Sequence, residues 1–309
     1  MRKTGFRALI TVLCGALSLA MPAFAASAAS EADDPSADRT AIVVTGKSEQ
    51  TPAAVRKQAR KITQVGGGVY HTPLAQFQDP ICPGIIGVSR EVAEVMVDRI
   101  RDTAEQIGLD TAREGTCTPN ILVIFVANGQ QAIKALAKQR SYLFQRITAP
   151  ELRAMIADKG PVHAWVNTTV RSRQGDELQG SADLDLVNPP RLNVAQSQSH
   201  IFLAHRLDIV SSIVMIDLPA ANGMSAVQLA DYATMRAIVR TRPVEADTSV
   251  STILSLFDPA GARPAALTDF DHAYLRTIYG SIANLNAASK LAHINKRLRA
   301  QQTEREEEE

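Results

Sequence analysis

The sequence lacks the short motifs that identify common catalytic and nucleotide-binding sites. It has no G-x-S-x-G nucleophile elbow, no Walker-type phosphate loop and no G-x-G-x-x-G fingerprint. No two histidines stand four residues apart, the spacing that places two zinc ligands on one face of a helix. These absences exclude the hydrolase, nucleotide-binding and zinc-protease classes that such motifs would identify, and no motif fixes a reaction.

A strong excess of charge of one sign is also missing. The chain carries 33 lysine and arginine residues against 32 aspartate and glutamate residues, a formal net charge of +1. A general nucleic-acid binder needs a large basic excess, so this balance argues against nucleic acid as a partner. Beyond residue 25, no apolar run reaches the roughly 20 residues needed to cross a bilayer, so we expect no transmembrane segment in the mature chain.

The first 25 residues have the three parts of a secretory signal peptide. Three basic residues are followed by an apolar run of about 13 residues, Ala8–Ala20, and by the small-x-small motif Ala23-Phe24-Ala25. We predict cleavage after Ala25 and a periplasmic or secreted location. The net charge then falls from +1 to −2, because the leader holds three basic and no acidic residues. The alternatives are an uncleaved membrane anchor and lipidation at Cys14, although Leu13 stands where a lipobox needs a small residue.

Only two cysteines lie beyond this leader, Cys82 and Cys117. In an oxidising compartment such a pair predicts a disulfide, which would stabilise the fold by roughly 3–4 kcal/mol through loop closure. Two separate buried thiols are the alternative. We expect no zinc site and no other cofactor, since no C-x-x-C motif or nearby cluster of histidine and cysteine supports one.

Composition divides the mature chain into three parts. Residues 26–68 contain few large apolar groups and are predicted to be a flexible linker, with at most one weak helix. Residues 69–300 have the patterning of a single α+β domain, and residues 301–309 are predicted to be a charged, disordered tail. A split near residue 220 into a sheet half and a helical half is the alternative.

Hydrophobic periodicity predicts helices and strands in mixed order within this domain. Ser89 is the N-cap of a helix that reaches Ile107. Two capping boxes, Ser225-x-x-Gln228 and Thr268-x-x-Asp271, open further helices. The apolar run 121–126 predicts a central strand buried on both faces. Other helices and strands are predicted over 130–140, 150–158, 162–170, 201–205, 209–216 and 281–299. The simplest architecture is α+β, a mixed sheet of about four to five strands packed with helices.

Two pairs of residues on predicted strands are considered, one for a polar pocket and one for a shared metal site. His163 and Trp165 share one face of the strand over 162–170, although a Trp packed under a helix is the commoner arrangement. His200 and His205 are five residues apart on a predicted strand, which places them on opposite faces, so a shared metal is not expected.

Two acidic positions have both a functional and a structural interpretation. Asp183 and Asp185 are spaced to contact a hard cation, with a polar loop as the alternative. Asp271 and His272 could form an acid–base pair, but Asp271 is already explained as a carboxylate favoured by the start of a helix.

The order of several segments carries a family resemblance. They are CTPNILVIF (117–125), SIVMID (212–217), QLADY (228–232), TILSLF (252–257), and LTxFD (267–271) with YLxxxY (274–279). Spread over residues 80–300, they resemble the strands and helices of a family of bacterial secreted proteins of unknown function with a zincin-like fold. The resemblance implies that the helix over 225–240 corresponds to the family's active-site helix.

That helix departs from the zincin pattern. A zincin binds zinc through two histidines one helical turn apart and uses a glutamate between them as the general base. The helix over 225–240 has Gln228, Asp231, Tyr232 and Arg236 instead. The resemblance therefore implies a zincin-like fold without its metal. The candidate binding cleft consists of four residues on the helix and two on the strand over 162–170: Gln228, Asp231, Tyr232, Arg236, His163 and Trp165. The alternative is an ordinary amphipathic helix with an inward apolar face, formed by Val227, Ala230, Met235 and Ile238.

The absence of a complete catalytic set favours an exported binding or scaffolding module over an enzyme, and no residue is assigned a catalytic role. The alternative is an exported hydrolase with an unconventional site, which requires Asp231, Tyr232 and His163 to converge in one pocket. A third interpretation is a partner of another envelope protein, tethered through residues 39–61.

Overall fold

The structure, a computed structural model, describes residues 50–113, 115–139, 141–144, 146–177, 201–244 and 249–308. Its helices are α1 Pro52–Ile62, α2 Arg90–Gln106, α3 Gly129–Lys138, α4 Ala149–Ala157, α5 Leu218–Ala221, α6 Ala226–Ala237, α7 Asp269–Tyr279, α8 Ala287–Ala292 and α9 Ile294–Glu308. Its strands are β1 Pro83–Ile86, β2 Ile121–Val126, β3 Val162–Ser172 and β4 His205–Asp217. The predicted signal peptide and the residues Asp183, Asp185 and His200 lie outside the described ranges.

The four strands form one mixed sheet, which confirms the predicted α+β class. The strand order is β1-β2-β4-β3. β1, β2 and β4 are parallel, whereas β3 pairs antiparallel with β4. The parallel pair β1 and β2 is joined through α2, as a parallel connection requires. The sheet therefore has β4 in an interior position and β3 along one edge.

The sheet separates two hydrophobic cores. The larger core contains β-strand residues such as Val123 and Val214, and residues of α1, α2 and α6–α9 pack with them. The smaller core contains Trp165, Ile213 and Met215, covered by residues of α3 and α4. The alternating faces of β2 contribute to both cores, as its continuous apolar run predicts.

Local capping signals place the helix starts as predicted. Ser89 accepts a hydrogen bond from Val92 N at the start of α2. Both predicted capping boxes form, at the starts of α6 and α7. Side chains at these caps satisfy backbone N–H groups that have no partner within the helix, which is why the starts are readable from sequence.

Both ends of the predicted domain extend further than the sequence indicates. α1 lies inside the segment predicted as a linker, and it is held by burial of Val55, Gln58, Ala59 and Ile62. α9 continues to Glu308, through the segment predicted as a disordered tail. Ion pairs from α7 to α9 help to hold it, and they join Arg276 to Glu304 and Asp269 to Arg305.

The β3–β4 pair extends beyond β2. β4 has 13 residues and contains the strand predicted over 209–216, whereas of the strand predicted over 201–205 only His205 belongs to it. In the extension, Leu207 O accepts a hydrogen bond from Gln76 N, and Gln76 O accepts one from Ile209 N, at 3.1 and 2.8 Å. The Gln76 side chain in turn accepts a hydrogen bond from the buried Lys290 Nζ at 2.8 Å. Backbone from outside the named strands therefore takes the place of β2 along this part of β4.

The predicted disulfide joins Cys82 to Cys117, with the two Cα atoms 6.1 Å apart. The bond closes the β1–α2–β2 unit on itself. Asn120 strengthens the same junction, because its side-chain oxygen accepts a hydrogen bond from Cys82 N at 2.8 Å and its backbone N donates to Cys82 O at 3.0 Å.

Nowhere in the described ranges does a helix have the length and apolar character that crossing a membrane requires.

Replacing both cysteines with serine is expected to lower the free energy of unfolding by about 4 kcal/mol, because a loop spanning 35 residues is no longer closed in the unfolded chain. Urea denaturation of the double variant measures this loss, and reduction of the wild-type protein with dithiothreitol should reproduce it. Unfolding midpoints that agree with and without the bond would contradict the expectation.

Candidate functional site

Asp231 is fully buried and fully engaged in structural contacts. Arg99 of α2 donates two hydrogen bonds to its carboxylate, from Nε at 2.7 Å and from Nη2 at 2.9 Å. The backbone N of Leu267 donates a third, at 2.7 Å. The hydrogen bond to Asp231 raises the pKa of Arg99. These contacts join α2, α6 and the segment before α7, so the carboxylate is a structural anchor, not an accessible catalytic group.

The neighbouring candidates on α6 are also committed to packing. Gln228 accepts a hydrogen bond from Ser225 N in the capping box and donates one to Pro264 O at 2.8 Å. The Tyr232 ring lies edge-on to Phe257, with ring centroids 4.8 Å apart, and burial raises its pKa. α6 is therefore a buried helix whose polar side chains bind the surrounding chain.

Arg236 lies at the C-terminal end of α6 and is buried. Its Nη1 donates a hydrogen bond to Thr241 O at 2.6 Å. A cation in the last turn of a helix is favoured by the helix dipole, and here it also holds the chain that leaves the helix. Arg236 thus has a structural role at this position.

Trp165 belongs to the smaller core, on the other face of the sheet from α6. Its ring stacks on Phe144 with centroids 5.1 Å apart, and its Nε1 donates a hydrogen bond to Leu143 O at 2.9 Å. This is the alternative arrangement considered from the sequence, a packed Trp. The six residues of the predicted cleft therefore do not share one face.

His163 is a buried candidate whose ring nitrogens lack hydrogen-bond partners. Its side chain is 1 % exposed, and within the described residues neither ring nitrogen has a hydrogen-bond partner. Its Nδ1 lies 3.7 Å from Asp158 Oδ2. Burial lowers the pKa of His163, while Asp158 and Asp217 act in the opposite direction and Arg236 adds to the lowering. Of the predicted cleft, Arg236 is thus near enough to His163 to lower the pKa of the imidazole.

Three further residues complete the surroundings of His163, and we refer to Gly129, Asp158, His163 and Asp217 as the His163 cluster. Asp217 Oδ1 accepts a hydrogen bond from Gly129 N at 2.6 Å. A Cβ on Gly129 would lie 2.7 Å from His163 Cδ2 and 2.8 Å from Asp217 Oδ1, so only glycine fits. These residues were not singled out from the sequence. Gly129 follows the carboxyl end of β2, and Asp217 is the last residue of β4, so both lie at the edge where parallel sheets commonly bind ligands.

A cavity of about 780 Å³ lies between α1, α7 and α9, and we call it the α1–α9 cavity. Its walls carry hydroxyl and amide groups above an apolar base. The lining residues are Gln50, Pro52, Ser249, Ser251, Thr268, Asp269, Phe270, Asn295, Leu298, Arg299 and Gln302. Its size falls in the range of small-molecule sites. No sequence motif marked it, because its residues come from four separate parts of the chain.

The Asp271 carboxylate holds a buried turn in place. Thr252 Oγ1, Ile253 N and Thr268 N all donate hydrogen bonds to it, at 2.5 to 3.0 Å. Burial nevertheless raises the pKa of Asp271 to about 6. The pKa of the adjacent His272 is lowered, chiefly by burial. Asp271 is thus a helix-start carboxylate, as the structural interpretation of the sequence predicts.

In the part of the chain that the structure describes, no three His, Cys, Asp or Glu side chains are grouped so that they could hold a metal ion.

Comparison of the chain with protein-family models, with curated proteins and with solved structures found no match. The resemblance to a zincin-like family therefore stays a prediction, carried only by the segments named above.

Replacing Arg99 with alanine is expected to lower the free energy of unfolding by about 3 kcal/mol, because the buried Asp231 carboxylate loses its counter-charge. The matched control is Arg90→Ala on the same helix, since the Arg90–Glu94 pair is 86 % and 57 % exposed and should contribute nothing measurable. Chemical denaturation of both variants tests this. Equal unfolding midpoints for the two variants would argue against an anchoring role for Asp231.

The raised pKa of Asp271 gives a pH dependence with a definite sign. The folded protein keeps a proton on this carboxyl that the unfolded chain releases, so the free energy of unfolding should fall as pH rises from about 4 to about 6. The slope from this one group is at most about 1.4 kcal/mol per pH unit. Denaturation across that range should show a steeper fall for the wild type than for Asp271→Asn, and parallel curves would refute the assignment.

Proposed function

We propose that this chain is an exported binding module of the cell envelope without catalytic activity, and that the α1–α9 cavity holds its ligand. The observation that carries the proposal is the commitment of Asp231, Gln228 and Arg236 to buried structural contacts. These three side chains are held in hydrogen bonds inside the fold, which leaves Asp231 in particular without a free oxygen for a substrate. The disulfide between Cys82 and Cys117 supports folding in an oxidising compartment.

The chemistry of the α1–α9 cavity favours a small polar ligand. Hydroxyl and amide groups such as Ser251, Asn295 and Gln302 can both donate and accept hydrogen bonds, while Phe270 and Leu298 give the cavity its apolar base. Asp269 is engaged with Arg305 at 2.5 Å, so its charge is compensated. Arg299 adds one cation that has no carboxylate partner within the described ranges. A hydroxyl- or amide-bearing molecule with at most one negative charge therefore matches this lining.

The alternative function is an exported hydrolase centred on the His163 cluster. The observation that favours it is the position of Asp158, whose carboxylate lies 3.7 Å from His163 Nδ1, as the orienting group of a general base would. A hydrolase also needs a nucleophile or an activated water beside the other ring nitrogen. Within the described residues, no side chain forms a hydrogen bond with that nitrogen.

The two functions can be separated with cavity and cluster variants. Ser251→Trp should fill the α1–α9 cavity from an exposed position, and Gln131→Trp, an exposed residue of α3, is the matched control. A panel of sugars, amino acids, amides and polyols is screened by thermal denaturation. We expect a ligand that raises the Tm of the wild type and of Gln131→Trp, but not of Ser251→Trp.

Three outcomes would count against the binding proposal. A ligand that stabilises the two Trp variants equally would place the site elsewhere, and a panel without any stabilising compound would leave the cavity without a function. Hydrolysis of a chromogenic ester or peptide by the wild type, lost in a folded His163→Gln variant, would establish the hydrolase instead.

A further inference from the structure

Two of the stretches without any acidic residue lie near the two ends of the described chain, and their helices α1 and α9 pack together. Residues 50–78 and 272–303 together hold nine lysine and arginine residues and no aspartate or glutamate, although the chain as a whole is balanced. These stretches include α1, α8 and the first part of α9. Because the charges of the whole chain nearly cancel, such a segregation concentrates positive charge on one part of the fold.

The cations of α1 and α9 lie on exposed faces of two helices that pack together. In α1, Arg56, Lys57 and Arg60 are exposed, opposite the face that enters the core. In α9, Lys296 and Arg299 are exposed. The two helices are in contact, and Asn295 Nδ2 donates a hydrogen bond to Pro52 O at 3.0 Å. We call Arg56, Lys57, Arg60, Lys296 and Arg299 the basic face.

Stability of the fold does not explain this array. Arg56 and Arg60 stand four residues apart on one helix, a like-charge spacing that destabilises a helix. Across the described ranges, none of the five basic-face residues forms an ion pair with a carboxylate. Other arginines, such as Arg99 and Arg240, have such partners. The basic face is therefore available to an external anion.

The form of the basic face points to an extended anionic surface. Its side chains are long and exposed, and they are distributed over two helices that pack together. α1 and α9 contain no aromatic residue on which a nucleic-acid base could stack. A bilayer with anionic lipid needs no such stacking, and each lysine or arginine near its surface contributes about 1 kcal/mol.

We propose that the basic face docks this protein on the surface of an anionic phospholipid bilayer. The charge of α9 changes sign along its length, because the helix ends in Glu304 and the acidic run from Glu306 onward. The acidic end is repelled by the same surface, so docking would turn the first half of α9, together with α1, toward the lipid. This inference goes beyond the proposed function and does not depend on a ligand in the α1–α9 cavity.

The test is co-sedimentation of the mature protein with vesicles of phosphatidylcholine alone, or with about 30 mol % phosphatidylglycerol. We expect binding only to the anionic vesicles, with a loss of affinity as salt rises from about 50 to about 300 mM, since the Debye length shortens. Arg56→Gln, Lys57→Gln and Arg60→Gln, combined in one chain, should weaken binding roughly 100-fold.

The matched control combines Lys134→Gln, Lys138→Gln and Arg153→Gln. These are exposed helical cations of α3 and α4, on the other side of the sheet, and their removal lowers the net charge by the same amount without changing vesicle binding. A second variant, Lys296→Gln, changes a residue that does not line the α1–α9 cavity and should weaken binding through α9. Thermal denaturation verifies that all variants fold. Ser251→Trp should bind vesicles normally, which separates this test from that of the cavity.

Several outcomes would overturn the proposal. Equal binding by the α1 triple variant and its control would show that total charge, not the basic face, is responsible. Binding to phosphatidylcholine alone would indicate a non-electrostatic interaction. No binding to either vesicle would refute it, and capture of a single-stranded oligonucleotide that depends on the same three residues, without vesicle binding, would assign the basic face to nucleic acid.

Discussion

The buried ion pair between Asp231 and Arg99 is the constraint on which the larger core depends. Removing a carboxylate from water costs several kcal/mol unless a counter-charge and hydrogen bonds replace the lost hydration. Arg99 and Leu267 N supply both, at 2.7 to 2.9 Å. Since these groups come from α2, α6 and the segment before α7, the three parts can pack only in the arrangement that brings them to Asp231. The ion pair therefore fixes how the apolar faces of these helices align with one another.

Features set by neighbouring residues could be predicted from the sequence, whereas features set by distant partners could not. The start of α2 at Ser89 and the two capping boxes depend on side chains three residues away, and all three are found. The strand predicted over 209–216 begins too late, because the charged residues Arg206 and Asp208 precede its apolar run. In the structure, Arg206 and Arg171 compensate that carboxylate, so the strand continues through it. α1 was predicted only as one weak helix within a linker, because its composition is polar, although four of its residues are buried in the core.

The candidate site shows the same limit. The sequence shows that α6 lacks zinc ligands, and it marks Asp231 and His163 as unusual. It cannot show that Asp231 is neutralised by an arginine 132 residues away, which turns a candidate acid into an anchor. Nor does it indicate that Asp158 and Asp217 approach His163, because they meet only where α4, β3 and β4 come together. Asp217 could have been identified from its position at the end of a predicted strand, because polar residues at the carboxyl ends of parallel strands lie at the same edge of a sheet.

The interior position of β4 has a consequence for the order in which the molecule can fold. β2 pairs with β4 through contacts such as Ile121 with Ser212, so a chain that has delivered β1, α2 and β2 still lacks the strand that completes the sheet. Until residue 217 is available, the apolar run of β2 keeps an unpaired edge, the kind of surface that associates with other chains. Such long-range pairing slows folding. A chain exported from its N-terminus would therefore remain vulnerable to aggregation through most of its passage, and would benefit from a holding chaperone that covers β2 until β4 arrives.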